Sequence, residues 1–104
     1  VSDPIRIRAM VRDGGVGEIR TLLPHPMESG QRRAPSGDLI PAHYIETLTI
    51  ALNGREIIRG RLGPAVSANP LFVFHIDGVK AGDKVRIAWQ DNQGGSRSDE
   101  AAFA

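Results

Sequence analysis

An all-β fold, a sandwich of two antiparallel sheets with about seven strands, is what this sequence predicts, and three observations predict it. Twelve Gly and seven Pro in 104 residues leave little uninterrupted length for helices. The segments between these breakers are rich in β-branched residues and alternate apolar with polar at a period of two, which buries one face of a strand and wets the other. One pair of such segments is joined by Asn53-Gly54, the dipeptide that supplies the two positive-φ positions of a type I′ hairpin.

The strands follow in order. Ile5, Ile7, Ala9 and Val11 alternate with Arg6, Arg8, Met10 and Arg12 and define the first. Gly14-Gly15 turns the chain into a second, Gly17 to Leu23, with Ile19, Thr21 and Leu23 on one face and Pro24 ending it. Tyr44 to Leu52 places Tyr44, Leu48, Ile50 and Leu52 together and leads through Asn53-Gly54 into Arg55 to Leu62. Leu71 to Asp77 has Phe72, Phe74 and Ile76 on one side and Leu71 and Val73 on the other, the pattern of a strand buried on both faces and central in its sheet. Lys84 to Gln90 points Val85, Ile87 and Trp89 inward, whereas Ser96 to Phe103 is polar and thin, as edge strands are. Seven short strands with turn signals between them predict an immunoglobulin-like β-sandwich, with Trp89 as a large core residue in place of an inter-sheet disulfide.

Composition narrows the function. The length fits one domain, residues 1–104, with a single modest core. The chain has no Cys, which excludes a disulfide scaffold, a thiolate metal site, a redox dithiol and a cysteine nucleophile within it. Thirteen basic and 12 acidic side chains are interspersed along the length, so no tract is built for nucleic acid. No run approaches the roughly 18 consecutive apolar residues of a membrane span. Val1-Ser2-Asp3-Pro4 has neither a basic n-region nor an apolar h-region, leaving a cytoplasmic protein, a removed signal, or export on another chain's signal.

The anomaly is Pro24 to His43, longer than the roughly 12 to 15 residues that structureless connections usually span, and such loops commonly bind partners. Pro24, Pro26, Pro35 and Pro41 stiffen it. Gly63 to Pro70 is a second rigid crossover, in which Pro70 biases Asn69 toward extended geometry. His25 and His43 flank the long loop with Met27, Glu28 and Asp38 between them, a set that suggests copper or zinc. Their 18-residue separation lacks any His-x-His or His-x₃-His spacing, so hydrogen-bonded neutral histidines are expected instead, and no metal. His75, in phase with Val73 and Leu71, is expected to be a satisfied, partly buried histidine. Ser29, Ser36 and Ser67 are the hydroxyls a nucleophilic triad would draw on, but nothing pairs them with a histidine, and no enzyme is expected. Arg32-Arg33 suit an anion or a partner carboxylate, against the plainer role of solvated loop charges. Met27 and its prolines suit an apolar partner contact, against a loop folded down on its own sandwich.

Several segments, in order along nearly the whole chain, resemble one family. They are His25-Pro26-Met27-Glu28-Ser29-Gly30-Gln31-Arg32-Arg33, Gly37-Asp38-Leu39-Ile40-Pro41 leading into Tyr44-Ile45, Asn53-Gly54, Ser67-Ala68-Asn69-Pro70 followed by Phe72 and Phe74, and Trp89-Gln90-Asp91-Asn92-Gln93-Gly94. This pattern is similar to that of SoxZ, the small subunit of the SoxYZ carrier of bacterial sulfur (thiosulfate) oxidation. It also fits a SoxZ-like domain of the SoxYZ-like fusion proteins associated with quinoprotein dehydrogenases. The resemblance implies an immunoglobulin-like, noncatalytic subunit without cofactors that forms a heterodimer with SoxY, whose C-terminal cysteine arm holds the sulfur intermediates. It further implies transient docking of other Sox enzymes and a periplasmic location reached on the partner's twin-arginine signal, while the doubly apolar strand from Leu71 to Ile76 and the stiff loop leave apolar surface for weak self-association without the partner. His25, Met27, Glu28, Arg32 and Arg33 from the first loop, with Ser67 and Asn69 from the second, are the expected partner-binding residues. Two other classes remain open from the residues: a periplasmic metal-binding sandwich using His25, Met27 and His43, and an adhesion-type immunoglobulin-like module.

Overall fold

The computed structural model describes residues 3–104; Val1 and Ser2, the start of the N-terminal segment read above, lie outside them. The chain forms seven strands, β1 (Arg6–Arg12), β2 (Val16–Leu22), β3 (Ile45–Leu52), β4 (Arg55–Arg61), β5 (Leu71–Asp77), β6 (Lys84–Asp91) and β7 (Ser96–Ala102). One three-residue 3-10 turn, Asp13–Gly15, is the only helix among the described residues. A three-stranded sheet in the order β1-β2-β5 faces a four-stranded sheet in the order β4-β3-β6-β7, with every ladder antiparallel. The all-β sandwich expected from the breakers and the alternation is the fold observed.

The period-two pattern fills the core. Ile5, Ala9, Ile19 and Leu23 from the smaller sheet and its flanks meet Ile45, Leu48, Ile50, Val85, Ile87 and Trp89 from the larger. Each fully buried aliphatic side chain contributes about 1.5–3 kcal/mol by leaving water. Val79 and Phe103 close the core at one end. Two expectations need correction. β5 is an edge strand, not a central one: Phe72, Phe74 and Ile76 pack inward, while Leu71 and Val73 stand 64% and 45% exposed on the outer face. Residue alternation records how apolar each face is, and only long-range pairing decides which strands are neighbours. In β3 a bulge between Ile45 and Thr47 breaks the period, so Ile45 joins Leu48 and Ile50 in the interior and Tyr44 is only half-buried.

The antiparallel order gathers the connections at two ends. At one end Asn53 (φ 49) and Gly54 (φ 85) form the expected tight turn between β3 and β4. The Asn53 side chain donates to Asp83 Oδ1 at 3.2 Å and accepts from the Lys84 N–H at 2.9 Å, tying this hairpin to the turn before β6. At the other end lie the connections 23–44, 62–70 and 92–95.

The first of these is a two-stranded arm. Glu28 and His43 exchange backbone hydrogen bonds of 2.7 and 2.9 Å, and Arg33 bridges Leu39 nearer the tip. Most residues from Ser29 to Pro41 are exposed. The molecule is accordingly long, 53 × 22 × 21 Å, with a radius of gyration of 15.5 Å. A compact chain of this length would have about 13 Å.

Asn53→Ala is expected to lower stability by about 1–2 kcal/mol, since it removes both side-chain bonds and the residue type best suited to a left-handed φ. Urea denaturation should show a lower midpoint at an unchanged slope.

Candidate functional site

The arm is fixed to the sandwich by one carboxylate. Asp91 ends β6 in phase with Val85, Ile87 and Trp89, so the alternation that buries those three also carries an acid inward. Its side chain is 2% exposed and accepts four hydrogen bonds. Oδ2 takes Nε2–H from His25 at 3.0 Å and from His43 at 2.8 Å. Oδ1 takes the backbone N–H of Gly95 at 2.7 Å and of Gln93 at 3.0 Å. Burial pushes the Asp91 carboxyl up, and the donors, led by His25 and His43 and followed by Gly95 and Gln93, outweigh burial and hold it down at about 2. A β-carbon at position 95 would lie 2.7 Å from Oδ2 and 3.0 Å from Oδ1, so the close approach of this turn needs glycine.

Neighbouring groups fix the histidine tautomer. Met27 donates its backbone N–H to His25 Nδ1 at 3.1 Å, so the ring proton of His25 sits on Nε2 and points at Asp91. The same contacts hold Met27 at φ 48, a conformation that costs about 1–2 kcal/mol for a residue with a β-carbon. Met27 Sδ accepts the Ile45 N–H at 3.3 Å. The His25 ring meets His43 edge-on at 4.6 Å between centroids and Trp89 edge-on at 5.0 Å.

Two further strands of contact close the base. Asn69 accepts the His25 N–H at 3.1 Å through Oδ1 and donates its own N–H to the His25 carbonyl at 3.0 Å. Asn69 adopts φ 51 rather than the extended geometry expected before Pro70, because this reciprocal pairing with His25 holds it and asparagine tolerates the left-handed region. Asn92 Oδ1 accepts the Tyr44 N–H at 2.8 Å, and the side chains of Asn92 and Gln93 both donate to the Ala42 carbonyl at 2.9 Å. Beside this base opens a cleft of about 660 Å³ lined by Pro24, His25, His43, Asn69, Trp89 and Arg97.

The expected site residues therefore divide. His25 and Met27 are buried, 4% and 6% exposed, so the apolar contact expected of Met27 is made with its own sandwich. Glu28 and Arg32 pair with each other on the arm at 3.0 Å, and Arg33 donates to the Gly37 carbonyl at 2.7 Å near the tip. Ser67 and Asn69 are exposed on the second crossover, Asn69 against the arm base. His75 is exposed rather than partly buried and lies 3.5 Å from Glu18 on the outer face of the smaller sheet. Asp91 is the residue missed. Its signal was an acid at an inward position of a clean alternation, which calls for buried donors from elsewhere in the chain.

The arm brings His25 and His43 together despite the 18 residues between them, and with Asp91 their ligand atoms lie within 4.8 Å of one another. The hydrogen bonding does not fit a metal centre. Binding at His25 Nε2 would shift the ring proton to Nδ1, where it would face the Met27 N–H. Met27 Sδ is already engaged by Ile45. Among the described residues no serine hydroxyl hydrogen-bonds either histidine; Ser29 accepts from Gln31 and Ser36 pairs with Asp38.

Three of the segments that carry the family resemblance meet at this base: the Pro24–His43 arm, Asn69-Pro70 and Asp91-Asn92-Gln93. The family model described as sulphur oxidation protein SoxZ matches residues 5–102, nearly the entire chain. No curated protein matches the chain.

Replacing the carboxylate tests the network. The native Asp91 value of about 2 lies below the ordinary 3.8, so its stabilisation is complete above that ordinary value and is lost as pH falls toward 2. Asp91→Asn is expected to be about 2 kcal/mol less stable near neutral pH. In chemical denaturation the gap between the two proteins should close between roughly pH 4 and pH 2. A gap independent of pH would show that the charge is not what holds the arm.

Proposed function

Since this chain belongs to the SoxZ family of sulfur oxidation proteins, we propose that it is the noncatalytic subunit of a sulfur carrier, binding SoxY and presenting it to the enzymes that act on the SoxY-borne sulfur. The observation that carries this reading is the family match over residues 5–102 of a chain that contains no cysteine. A thiol must hold thiosulfate-derived sulfur covalently, and this chain has none to offer. His25 has neither ring nitrogen free for proton transfer, since Nε2 donates to Asp91 and Nδ1 accepts from the Met27 N–H.

In this reading the arm is a docking element. Chemistry on a tethered cysteine requires the carrier to enter several active sites in turn, so its body must present recognition surface without trapping the adduct. The arm base is rigid, held by Asp91, while Arg32 and Arg33 stand exposed beyond it. Guanidinium groups on such an extension steer acidic surfaces during approach more than they hold the final complex. Ser67 and Asn69 border the same end of the sandwich. His25 and Met27 act indirectly, by setting the direction of the arm. Export together with SoxY, on the twin-arginine signal of that partner, belongs to the same proposal and places the complex in the periplasm.

Arg32→Glu combined with Arg33→Glu is expected to slow association with SoxY, or with a docking enzyme, by about tenfold at low salt, with the difference shrinking as salt rises. Stability should be nearly unaffected, because an exposed pair such as Arg32–Glu28 contributes about 0–1 kcal/mol. Association and turnover equal to the parent in surface plasmon resonance and sulfur-transfer assays would remove the arginines from the docking surface. Failure of the parent chain to bind SoxY at all would overturn the carrier reading itself.

A further inference from the structure

Of the four sheet edges, three are blunted against pairing. The outer edge of β1 is occupied by the C-terminal segment: Val11 donates to the Ala104 carbonyl and Ala104 to the Ala9 carbonyl, both at 3.0 Å, and the Ile5 N–H is taken by Asp99. β4 carries Arg55, Glu56, Arg59 and Arg61 and a bulge opposite Ile50 and Ala51. β7 carries Arg97, Asp99 and Glu100. Charges, bulges and covering segments are the ordinary devices that keep an edge from pairing with another chain.

β5 has no bulge and no covering segment, and its one acidic side chain, Asp77, stands at its end. Leu71-Phe72-Val73-Phe74-His75-Ile76-Asp77 holds no Lys, Arg, Glu or Pro, and its ladder with β2 runs unbroken for seven residues. The bonds from the Leu23 N–H to the Pro70 carbonyl and from the Gly78 N–H to the Gly15 carbonyl set the phase of that ladder. Even-numbered residues exchange bonds with β2, and Leu71, Val73, His75 and Asp77 turn N–H and C=O to the open edge. The same strand displays Leu71 and Val73 on its outer face and half-buried Phe72, Phe74 and Ile76 on its inner face.

We propose that β5 is a homotypic pairing edge: two copies of this chain join antiparallel through β5, with Val73 on the two-fold axis, into one continuous six-stranded sheet. The register follows from chemistry. With Val73 opposite Val73 of the second copy, Leu71 lies against the second copy's His75 and Phe72 against its Phe74, and Asp77 meets only Asn69. A register centred on Phe74 would instead set Leu71, the most exposed apolar side chain, against the carboxylate of Asp77. Repulsion does not oppose the pairing. Arg20, opposite Val73 on β2, lies three strand spacings from its counterpart, about 14 Å, which exceeds the roughly 8 Å screening length of physiological salt. In the paired sheet β5 becomes a central strand, with the two Val73 side chains adjacent on the outer face.

Sedimentation of the whole chain across a concentration series tests this. The mass should rise from 11.2 kDa toward twice that value. Val73→Lys, at a position already 45% exposed, should keep the native circular dichroism spectrum and raise the dissociation constant at least about tenfold, the equivalent of ~1.4 kcal/mol. Because the chain lacks cysteine, register is read directly: Val73→Cys should form disulfide dimers with itself, whereas Leu71→Cys should do so only when mixed with His75→Cys. A monomer at every concentration, an unchanged dissociation constant in Val73→Lys, or equal self-crosslinking by Leu71→Cys would overturn the proposal. So would a Val73→Lys variant that loses SoxY binding in a chain that never self-associates, since the edge would then belong to the partner subunit. The Arg32→Glu, Arg33→Glu double variant should dimerise as the parent does, which separates this edge from the arm.

Discussion

Asp91 is the constraint on which the functional end of this molecule depends. A carboxylate taken out of water is costly unless its lone pairs are filled, and here they are filled by groups from three separate stretches: His25, His43, and the Gln93 and Gly95 amides. Satisfying one atom group therefore fixes both legs of the arm and the β6–β7 turn at once. The reach of the constraint goes further through His25, whose Nδ1 holds Met27 in a left-handed conformation and whose backbone exchanges two bonds with Asn69. Removing any one donor leaves a buried acceptor short of a partner. The arm is long and exposed, yet its direction is set with the precision of a core.

The two ends of the sandwich solve the same problem with different strictness. At the far end Asp83 also caps a turn from the inside, receiving the Lys80 amide at 2.9 Å and the Asn53 side chain at 3.2 Å, and the backbone bond from Lys80, followed by that from Asn53, holds its carboxyl below the usual range. That turn spans only Lys80 to Asp83, and its one distant donor, Asn53, is 30 residues away. At the arm end the two histidine donors are separated in sequence by 66 and 48 residues from the carboxylate they serve, so the site exists only when the arm is folded back onto the sandwich.

This separation explains what was legible in the sequence. Strand positions, inward faces and the Asn53-Gly54 turn were legible because they depend on neighbours within a few residues. So was the importance of the Pro24–His43 segment, from its length and prolines. The hub was not, because nothing local to Asp91 reveals that His25 and His43 will reach it; only its inward phase on β6 hinted at burial. The role of β5 was misread for a related reason. Its two apolar faces are real, but the apolarity of a face does not determine lateral neighbours, and β5 stands last in its sheet with Leu71 and Val73 exposed on the outer face. Asn69 was misassigned because a proline rule describes average backbone preference, whereas two tertiary hydrogen bonds decided this residue.

Trp89 is the sole tryptophan of the chain, 3% exposed, with the His25 imidazole edge-on at 5.0 Å. An indole in that position is an intrinsic optical probe placed at the root of the arm. Its emission arises from a single site, free of overlap with any second tryptophan, and reports the polarity and contacts of the arm root. Loosening of the arm root thus has its own spectroscopic signature, separable from melting of the sandwich, and motion there is observable in the unlabelled protein while it engages other molecules.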